Sequence, residues 1–382
     1  MCIRDSYYIG QQFRNDTKLS YSKGRIKFLS GLEFRNSQLQ GNYRTHSYFA
    51  TEAPISEDLI TEETALGSAV EGGNQFNIND FSVYSQFSYR LLGSFLHATI
   101  GGRYDYNQIR KTGGFGSLFS PKAALIANFK PAVAKLIYSQ GLQNPSQWTT
   151  YSTAGSRIAN PELIPEKIQN IELTLMSPDE HAPFQWLANT YYSLITDAIS
   201  LASDPDNVGK SKHQNNGTYN IIGAQFLFKY NPTKKISIDF NTTYTNAKEI
   251  DKDEIIGDIA NFRSNAGITY RMKFKKNRFT INLLANYVGA RPVGENTTVP
   301  ANAGIEDGEI PHYVAMHSTL SYWNENYSNL RIQFTLNNLL DQDYYHPGQR
   351  TANANSATVI AGHNPWVVQP GRYSFVKLTL GL

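Results

Sequence analysis

Apolar and polar residues alternate along most of this chain with a period of two, and this pattern constrains its fold more than any other feature. Residues 330–337, LRIQFTLN, and residues 236–241, ISIDFN, are clear examples. In an extended strand the two alternating sets of side chains point to opposite faces. A period of 3.6 residues, the mark of an amphipathic helix, is not sustained over more than two turns. The pattern therefore predicts an all-β protein.

The alternation and the turn residues that interrupt it predict fifteen strands. They lie at residues 7–20, 25–44, 80–91, 95–106, 118–128, 134–140, 168–176, 184–196, 219–230, 235–246, 262–272, 278–289, 313–322, 329–338 and 373–382. The connections alternate between short and long, and the glycine-rich segment 113–116 falls in a predicted long loop at 107–117. Short turns at one end and long loops at the other are typical of outer-membrane β-barrels. A large soluble all-β protein is the alternative.

The composition of the 382-residue chain excludes several classes of protein. No run approaches the roughly 18 apolar residues that a membrane-spanning helix needs. Aromatic residues make up 13% of the chain, which argues against disorder. The 35 Lys and Arg against 32 Asp and Glu give a net charge of +3, too balanced for a nucleic-acid binder that relies on charge. Cys2 is the single cysteine, which excludes a disulfide framework and a multi-cysteine zinc site.

The sequence contains no motif that indicates catalysis. It lacks a phosphate-binding glycine loop, a nucleophile elbow and a metal-binding helix motif. His312 and His317 are the closest pair of histidines, and their spacing places them on opposite faces of a strand, which is poor geometry for a metal ion. We therefore predict no enzymatic activity, no metal site and no cofactor.

The first six residues differ from the rest of the chain. Residues 1–6, MCIRDS, lack the basic, apolar and small-residue regions of a secretion signal, and we interpret them as a non-native leader. Residues 7–382 are predicted to form a single β-barrel domain. Because single-chain bacterial barrels have even numbers of strands, fifteen predicted strands indicate a fragment of a larger barrel.

Four segments carry a resemblance to a known family. In chain order, they are 120–122 (SPK) followed by 135–146 (KLIYSQGLQNPS), 160–167 (NPELIPEK), 337–345 (NNLLDQDYY) and 370–382 (PGRYSFVKLTLGL). Their order and spacing resemble the C-terminal barrel of TonB-dependent outer-membrane receptors, clearly over 118–382 and by pattern alone over 7–117. The chain departs from the family at Gln143, where an arginine is usual, and at Leu382, where an aromatic residue is usual.

The resemblance implies a transmembrane antiparallel β-barrel, with about 15 strands of a 22-stranded barrel that is closed by a plug domain. It implies a receptor in the outer membrane of a Gram-negative bacterium, in contact with lipid and coupled to the TonB energy-transducing complex through the plug, which this sequence lacks. The implied function is active import, with ferric siderophores or other iron complexes ranked first as cargo. Cobalamin or oligosaccharide import, and a passive porin or adhesin-type barrel, are the alternatives.

The turn residues and prolines within these four segments also have structural explanations. Pro161 and Pro165 hold the residues before them in extended conformations. The side chains of Asn338 and Asp341 suit a turn, because they can bond to nearby backbone groups. We predict structural roles for all four residues.

Two sets of residues are candidates for contact with cargo. Binding loops favour large aromatic side chains beside adaptable polar groups, and loops 141–167 and 339–372 carry Trp148, Tyr151, Arg157, His346, Arg350, His363 and Trp366. If the apolar set of each strand faces lipid, the alternate set lines the lumen. Its charged members include Arg90, Arg103, Asp105, Glu172, Asp239 and Arg331. A mild excess of cations in this set suits an anionic cargo, and salt bridges among these charges or to a plug are the alternative explanation.

Overall fold

The computed structural model describes residues 3–4, 8–41, 47–48, 75–109, 113–146, 149–150, 157–292, 309–324, 326, 330–347 and 366–380. Fifteen strands of eight or more residues lie in these ranges: Tyr8–Lys23 (β1), Ile26–Gly41 (β2), Gln75–Leu92 (β3), Leu96–Ile109 (β4), Gly113–Asn128 (β5), Val133–Gln143 (β6), Glu166–Met176 (β7), Phe184–Ser203 (β8), Ser211–Thr233 (β9), Ile236–Glu249 (β10), Phe262–Phe274 (β11), Asn277–Val288 (β12), Tyr313–Asn324 (β13), Leu330–Asn337 (β14) and Tyr373–Leu380 (β15). Each overlaps one predicted strand, so the prediction of an all-β protein is confirmed.

Short strands lie in the connections between the long ones. They are Ile3–Arg4, Ser47–Tyr48, Arg157–Ile158, Glu254–Ile255, Arg291–Pro292, Glu309–Ile310, Tyr345–Pro347 and Trp366–Val368. Among the described residues, no helix is both long enough and apolar enough to cross a membrane. The chain divides into two compact units, which are Met1–Ala127 with Lys135–Ile171 and Ser193–Asn220, and Asn128–Ala134 with Glu172–Tyr192 and Ile221–Leu382.

In the first unit, β1 to β5 form an antiparallel meander in which each strand pairs with the next. Phe34, Phe81 and Tyr106 lie opposite one another on β2, β3 and β4, and 40%, 43% and 44% of their respective surfaces are exposed. The adjacent row on the other face is polar and consists of Glu33, Ser82 and Asp105. The period-two pattern of the sequence thus becomes one apolar face and one polar face.

The second unit contains a similar meander of β10 to β15. One row of paired residues is apolar and exposed, and it consists of Ile281, Leu320, Phe334 and Val376. The row beside it faces the other way, and it consists of Thr280, Ser321, Gln333 and Lys377. Soluble monomers rarely expose apolar surfaces of this extent, whereas a strand in contact with lipid has an apolar outer face.

Two predicted long loops are much shorter in the structure. The connection expected at 197–218 covers only 204–210, because β8 continues to Ser203 and β9 begins at Ser211. The long connection expected at 107–117 shrinks to residues 110–112, because β4 continues to Ile109 and β5 begins at Gly113. Positive φ angles at Gly114 (119°) and Gly116 (65°) accompany a register shift in the pairing with β4. Glycine adopts these angles without steric cost, so a bulge replaces the loop that the glycine-rich segment suggested.

The turn that follows β14 confirms the structural roles predicted for Asn338 and Asp341. Both have positive φ angles, 48° and 53°. Asn338 is 1% exposed, its Oδ1 accepts the Gln342 amide at 3.0 Å, and its Nδ2 donates to the Gln342 carbonyl at 2.9 Å. The Arg372 amide donates to Asp341 Oδ1 at 2.7 Å. These two side chains fix the connection between the penultimate and last long strands.

Candidate functional site

Charged side chains on the polar face of β1 to β4 form a continuous network. Glu33 accepts hydrogen bonds from Arg14 Nε at 2.8 Å and from Arg103 Nη2 at 2.9 Å. Arg103 also donates to the Asp105 carboxylate at 2.8 Å and to the Ser82 hydroxyl at 2.7 Å. The Glu33 side chain is 12% exposed, so it is largely removed from water. The arginines stabilise its charge and connect four strands, β1 to β4.

A second group extends this network along the same face. Arg35 Nε and Nη2 donate to the Asp80 carboxylate at 2.8 and 2.7 Å, and Asn107 Nδ2 donates to it at 2.6 Å. A cavity of about 410 Å³ lies over these side chains and over Gln140 and Asn144. Because each arginine here has a carboxylate partner, these charges are matched within the sheet.

Two of the predicted lumen-facing residues, Arg103 and Asp105, belong to this network. The structure also places Arg90 and Ser82 on the same face of β3, and Glu172 alternates with exposed apolar neighbours on β7. Asp239 lies opposite Gly267 on the polar face of the second unit, and Arg331 lies on that face opposite Trp323. Which of these side chains contacts cargo stays a prediction.

Arg291 stands at the centre of a partly buried cluster in the second unit, made of Arg291, Tyr313, Tyr344 and His346 (the Arg291 cluster). Arg291 is 5% exposed, and its Nη2 donates to the Tyr345 carbonyl at 2.6 Å. Its guanidinium lies 5.9 Å from the centre of the Tyr313 ring. The Tyr313 and Tyr344 rings are 4.4 Å apart, and the Tyr313 hydroxyl bonds to His346 Nε2 at 3.1 Å. The cluster joins segment 289–292 to segment 344–347.

Burial sets the electrostatics of the Arg291 cluster. It lowers the pKa of Arg291 and raises the pKa of Tyr344. Burial is also the main cause that lowers the pKa of His346, with the positive charge of Arg291 as a second cause. Arg291 Nε is buried and has no hydrogen-bond partner among the described residues. The cluster therefore contains one cation that carries an unused donor, beside a neutral imidazole.

Acidification is expected to loosen the Arg291 cluster. The pKa of His346 lies below its ordinary value of about 6.5, so the opened cluster binds a proton more readily than the closed one. The stability that the neutral imidazole contributes is complete above about pH 6.5 and is lost progressively as the pH falls towards the lowered pKa. Amide exchange in the paired strands Tyr345–Pro347 and Trp366–Val368 measures this opening.

The matched control for this experiment is His346→Gln, which keeps a hydrogen-bond partner for Tyr313 but does not titrate. After correction for intrinsic exchange, we expect protection to fall at low pH in the parent protein and to stay constant in the variant. The same pH dependence in both proteins would contradict the role assigned to His346.

Hydrogen bonds attach residues 157–164 to the start of β9 within the first unit. Arg157–Ile158 pairs in parallel with Ser211–Lys212, and Asn160 Nδ2 donates to the His213 carbonyl at 2.7 Å. Asn215 Oδ1 accepts a hydrogen bond from the Ile164 amide at 3.0 Å, and Asn215 Nδ2 donates one to the Ile164 carbonyl at 2.9 Å. Arg157, a predicted contact residue, thus pairs with Ser211, two residues before His213, and the sequence prediction did not connect the two side chains.

The remaining predicted contact residues are described only in part. Trp148, Tyr151, Arg350 and His363 lie outside the described residues. The backbone of Trp366 pairs with Pro347. Of the seven predicted loop contacts, the structure therefore brings His346 into a cluster and places Arg157 near His213.

Sequence analysis missed Arg291, Tyr313 and Tyr344 as members of a site. Arg291 precedes a proline in a connection, where an arginine is ordinarily solvated, and nothing in the sequence indicates its burial. Tyr344 falls in a segment that was interpreted through its turn residues. A signal was nevertheless present, because aromatic residues and a histidine recur at 344–346, YYH.

Comparison with known proteins identifies the family. The family model of the TonB dependent receptor-like β-barrel matches residues 3–339. The chain belongs to this family. Its members are transport receptors of the outer membrane of Gram-negative bacteria and not enzymes, so the predicted family, fold class and lack of enzymatic activity are confirmed.

One curated relative is the heme/hemopexin utilization protein C of Haemophilus influenzae (strain 86-028NP), which is 24% identical over 369 residues. The alignment covers 87% of this chain and 50% of the relative, so the chain spans about half the length of that protein. Two solved structures have the same fold with a TM-score of 0.72: the copper transporter OprC, at 14% identity, and the ferric enterobactin receptor PfeA of Pseudomonas aeruginosa, at 13% identity. They are matched over 99% and 98% of this chain and over 57% and 54% of their own chains.

Proposed function

We propose that this chain is part of an outer-membrane receptor that imports iron complexes by active, TonB-dependent transport. Family membership carries the proposal, because the matching β-barrel model spans most of the chain. The apolar faces of both units contact outer-membrane lipid in this account. The partners are the TonB energy-transducing complex, which acts through a plug domain, and an iron-bearing cargo.

The choice of an iron complex rests on the named relatives. A heme/hemopexin utilization protein is similar over most of this chain, and receptors for ferric enterobactin and ferric yersiniabactin share its fold. Haem and ferric siderophores are both large, and both carry groups that bind cations and aromatic rings. They are therefore the first cargoes to test, ahead of cobalamin and oligosaccharides.

The Arg291 cluster supports recognition of such a cargo at the long connections. Its members combine a buried guanidinium that has a free Nε donor, two aromatic rings and a neutral imidazole. Sites that bind organic ligands commonly combine apolar rings with a few fixed polar groups. The predicted contact residues Arg157, Arg350, His363, Trp148, Tyr151 and Trp366 extend this proposal to the neighbouring loops.

Growth on single iron sources tests the proposed cargo. The full-length receptor is expressed in an iron-starved host that lacks its own receptors for haem and siderophores. We expect growth with haem or with one class of ferric siderophore. The contradicting result is that no iron complex supports growth, while the receptor allows growth on limiting cobalamin or maltodextrin. That result would refute the assignment and favour one of the alternative cargoes.

A further inference from the structure

The polar face of the second unit holds a cavity of about 850 Å³ with an unusual balance of charge, here called the basic pocket. Trp323 forms part of its wall, and no Asp or Glu is among the described residues that line it. The basic residues that line it are Lys234, Lys235, Arg271, Lys273, Arg278 and Arg331.

The strand register brings these cations together. Lys273, Arg278, Trp323 and Arg331 form one continuous row across β11 to β14. Arg271 belongs to the adjacent row of the same face, and its amide donates to the Lys235 carbonyl at 2.7 Å. The basic turn between β9 and β10 therefore lies beside the basic row.

One cation of the basic pocket is held in place by an aromatic ring. The Arg278 guanidinium lies 4.7 Å from the centre of the Trp323 ring. A cation over the face of an indole is attracted by the negative electrostatic potential of that face, so the side chain is oriented before any ligand arrives. Arg278 thus presents a fixed planar donor on an aromatic wall.

The pairing of charges differs from that of the first unit. There, Arg35 and Arg103 each contact a carboxylate at less than 3 Å. In the part of the chain that the structure describes, no carboxylate lies within 4.0 Å of Lys234, Arg271 or Arg331. Like charges that line one cavity repel one another, and an anion bound among them reduces that repulsion.

We propose that the basic pocket binds a small multivalent anion that carries carboxylate or phosphate groups on a flat, aromatic frame. Guanidinium groups bind both kinds of anion through paired hydrogen bonds, and the Trp323 indole provides an aromatic surface beside them. The cavity volume lies within the range typical of small-molecule sites. The biological role rests on the proposed function: an anionic cargo that moves along the polar face reaches this pocket beside the short connections 234–235 and 275–276.

Protection of a single cysteine measures binding to the basic pocket. Thr379 lines the cavity opposite Arg331, and the full-length protein is prepared with Cys2→Ser and Thr379→Cys. Its rate of reaction with a neutral maleimide is measured with trimesate, a benzene ring that bears carboxylates, and with an uncharged benzene triol. We expect saturating trimesate to slow labelling by about tenfold or more, since it covers the thiol, and the triol to have no effect.

Charge removal within and beside the pocket provides the matched comparison. The pair Arg278→Gln with Arg331→Gln is expected to weaken trimesate protection about tenfold or more, because it removes charge-assisted hydrogen bonds. Lys276→Gln removes a charge from the turn 275–276, which precedes Arg278. The Lys276 ammonium donates a hydrogen bond to Asn326 Oδ1 at 2.7 Å and does not line the cavity. The effect of this substitution is expected to stay below about twofold.

Three results would overturn the proposal. The first is a lack of trimesate protection in the protein with an intact pocket, or protection that is unchanged in the double variant. The second is a cysteine that is blocked before any anion is added, which indicates that a protein segment fills the pocket. The third is protection by anionic phospholipid vesicles and none by trimesate, which indicates a lipid headgroup site. If the growth test fails and trimesate still protects the cysteine, only the proposed cargo role is refuted. If growth is supported and trimesate does not protect the cysteine, only the anion site is refuted.

Discussion

Phe334→Arg is expected to abolish most assembly of the receptor in the outer membrane. Phe334 lies in the middle of β14, in a row of exposed apolar residues, and is 44% exposed. An arginine that faces lipid at the bilayer midplane costs about 2–4 kcal/mol. The amount of heat-modifiable, folded protein in outer-membrane fractions measures the effect.

The neighbouring substitution Gln333→Arg is the control. Gln333 lies on the polar face opposite Lys377, and its Nε2 donates to the Ser321 hydroxyl at 3.2 Å. Repulsion from Lys377 is expected to cost less than about 1 kcal/mol, so most of the protein should still assemble. Equal amounts of folded protein for the two variants would contradict the assignment of the apolar row to lipid.

Arg103→Met is expected to lower the free energy of unfolding by about 1–3 kcal/mol. The change removes the donors that Arg103 supplies to Glu33, Asp105 and Ser82. A largely buried carboxylate then keeps Arg14 as a partner and loses its other cation. Urea unfolding of the protein in lipid vesicles, followed by tryptophan fluorescence, gives the free energy.

Arg14→Met is the matched control, because Arg14 binds the same carboxylate from a more exposed position. The Arg14 side chain is 57% exposed, against 39% for Arg103. Exposed ion pairs contribute little, so the loss is expected to stay below about 1 kcal/mol. If Arg14→Met destabilised the protein as much as Arg103→Met, the network would not depend on Arg103 in the way its contacts indicate.

The strands were predictable from sequence because their signal is local. Each residue of β14 points to the face that its polarity indicates, as Phe334 and Gln333 illustrate. The ends of strands were less predictable, since hydrogen bonding between strands continues beyond the apolar alternation. The extension of β4 to Ile109 and the start of β5 at Gly113 depend on pairing between strands, which the pattern of one strand does not encode.

The candidate sites were less predictable because they combine residues that are distant in sequence. Arg291 and His346 belong to different connections, and their segments meet through the hydrogen bond from Arg291 to the Tyr345 carbonyl and through the packing of Tyr313 against both. The network at Glu33 joins β1, β2 and β4, although its charged members were individually identifiable from their strand positions. Sequence gives the face of such a residue, while strand register determines its partner.

Energy-dependent uptake tests the central claim most directly. Cells that express the full-length receptor are supplied with the radioactive iron complex that supports their growth, with or without a functional TonB protein. Active import predicts accumulation of iron that saturates with concentration and disappears when TonB is deleted, while binding at the cell surface is retained. Uptake that continues unchanged without TonB and rises linearly with concentration would contradict the account and indicate a passive pore.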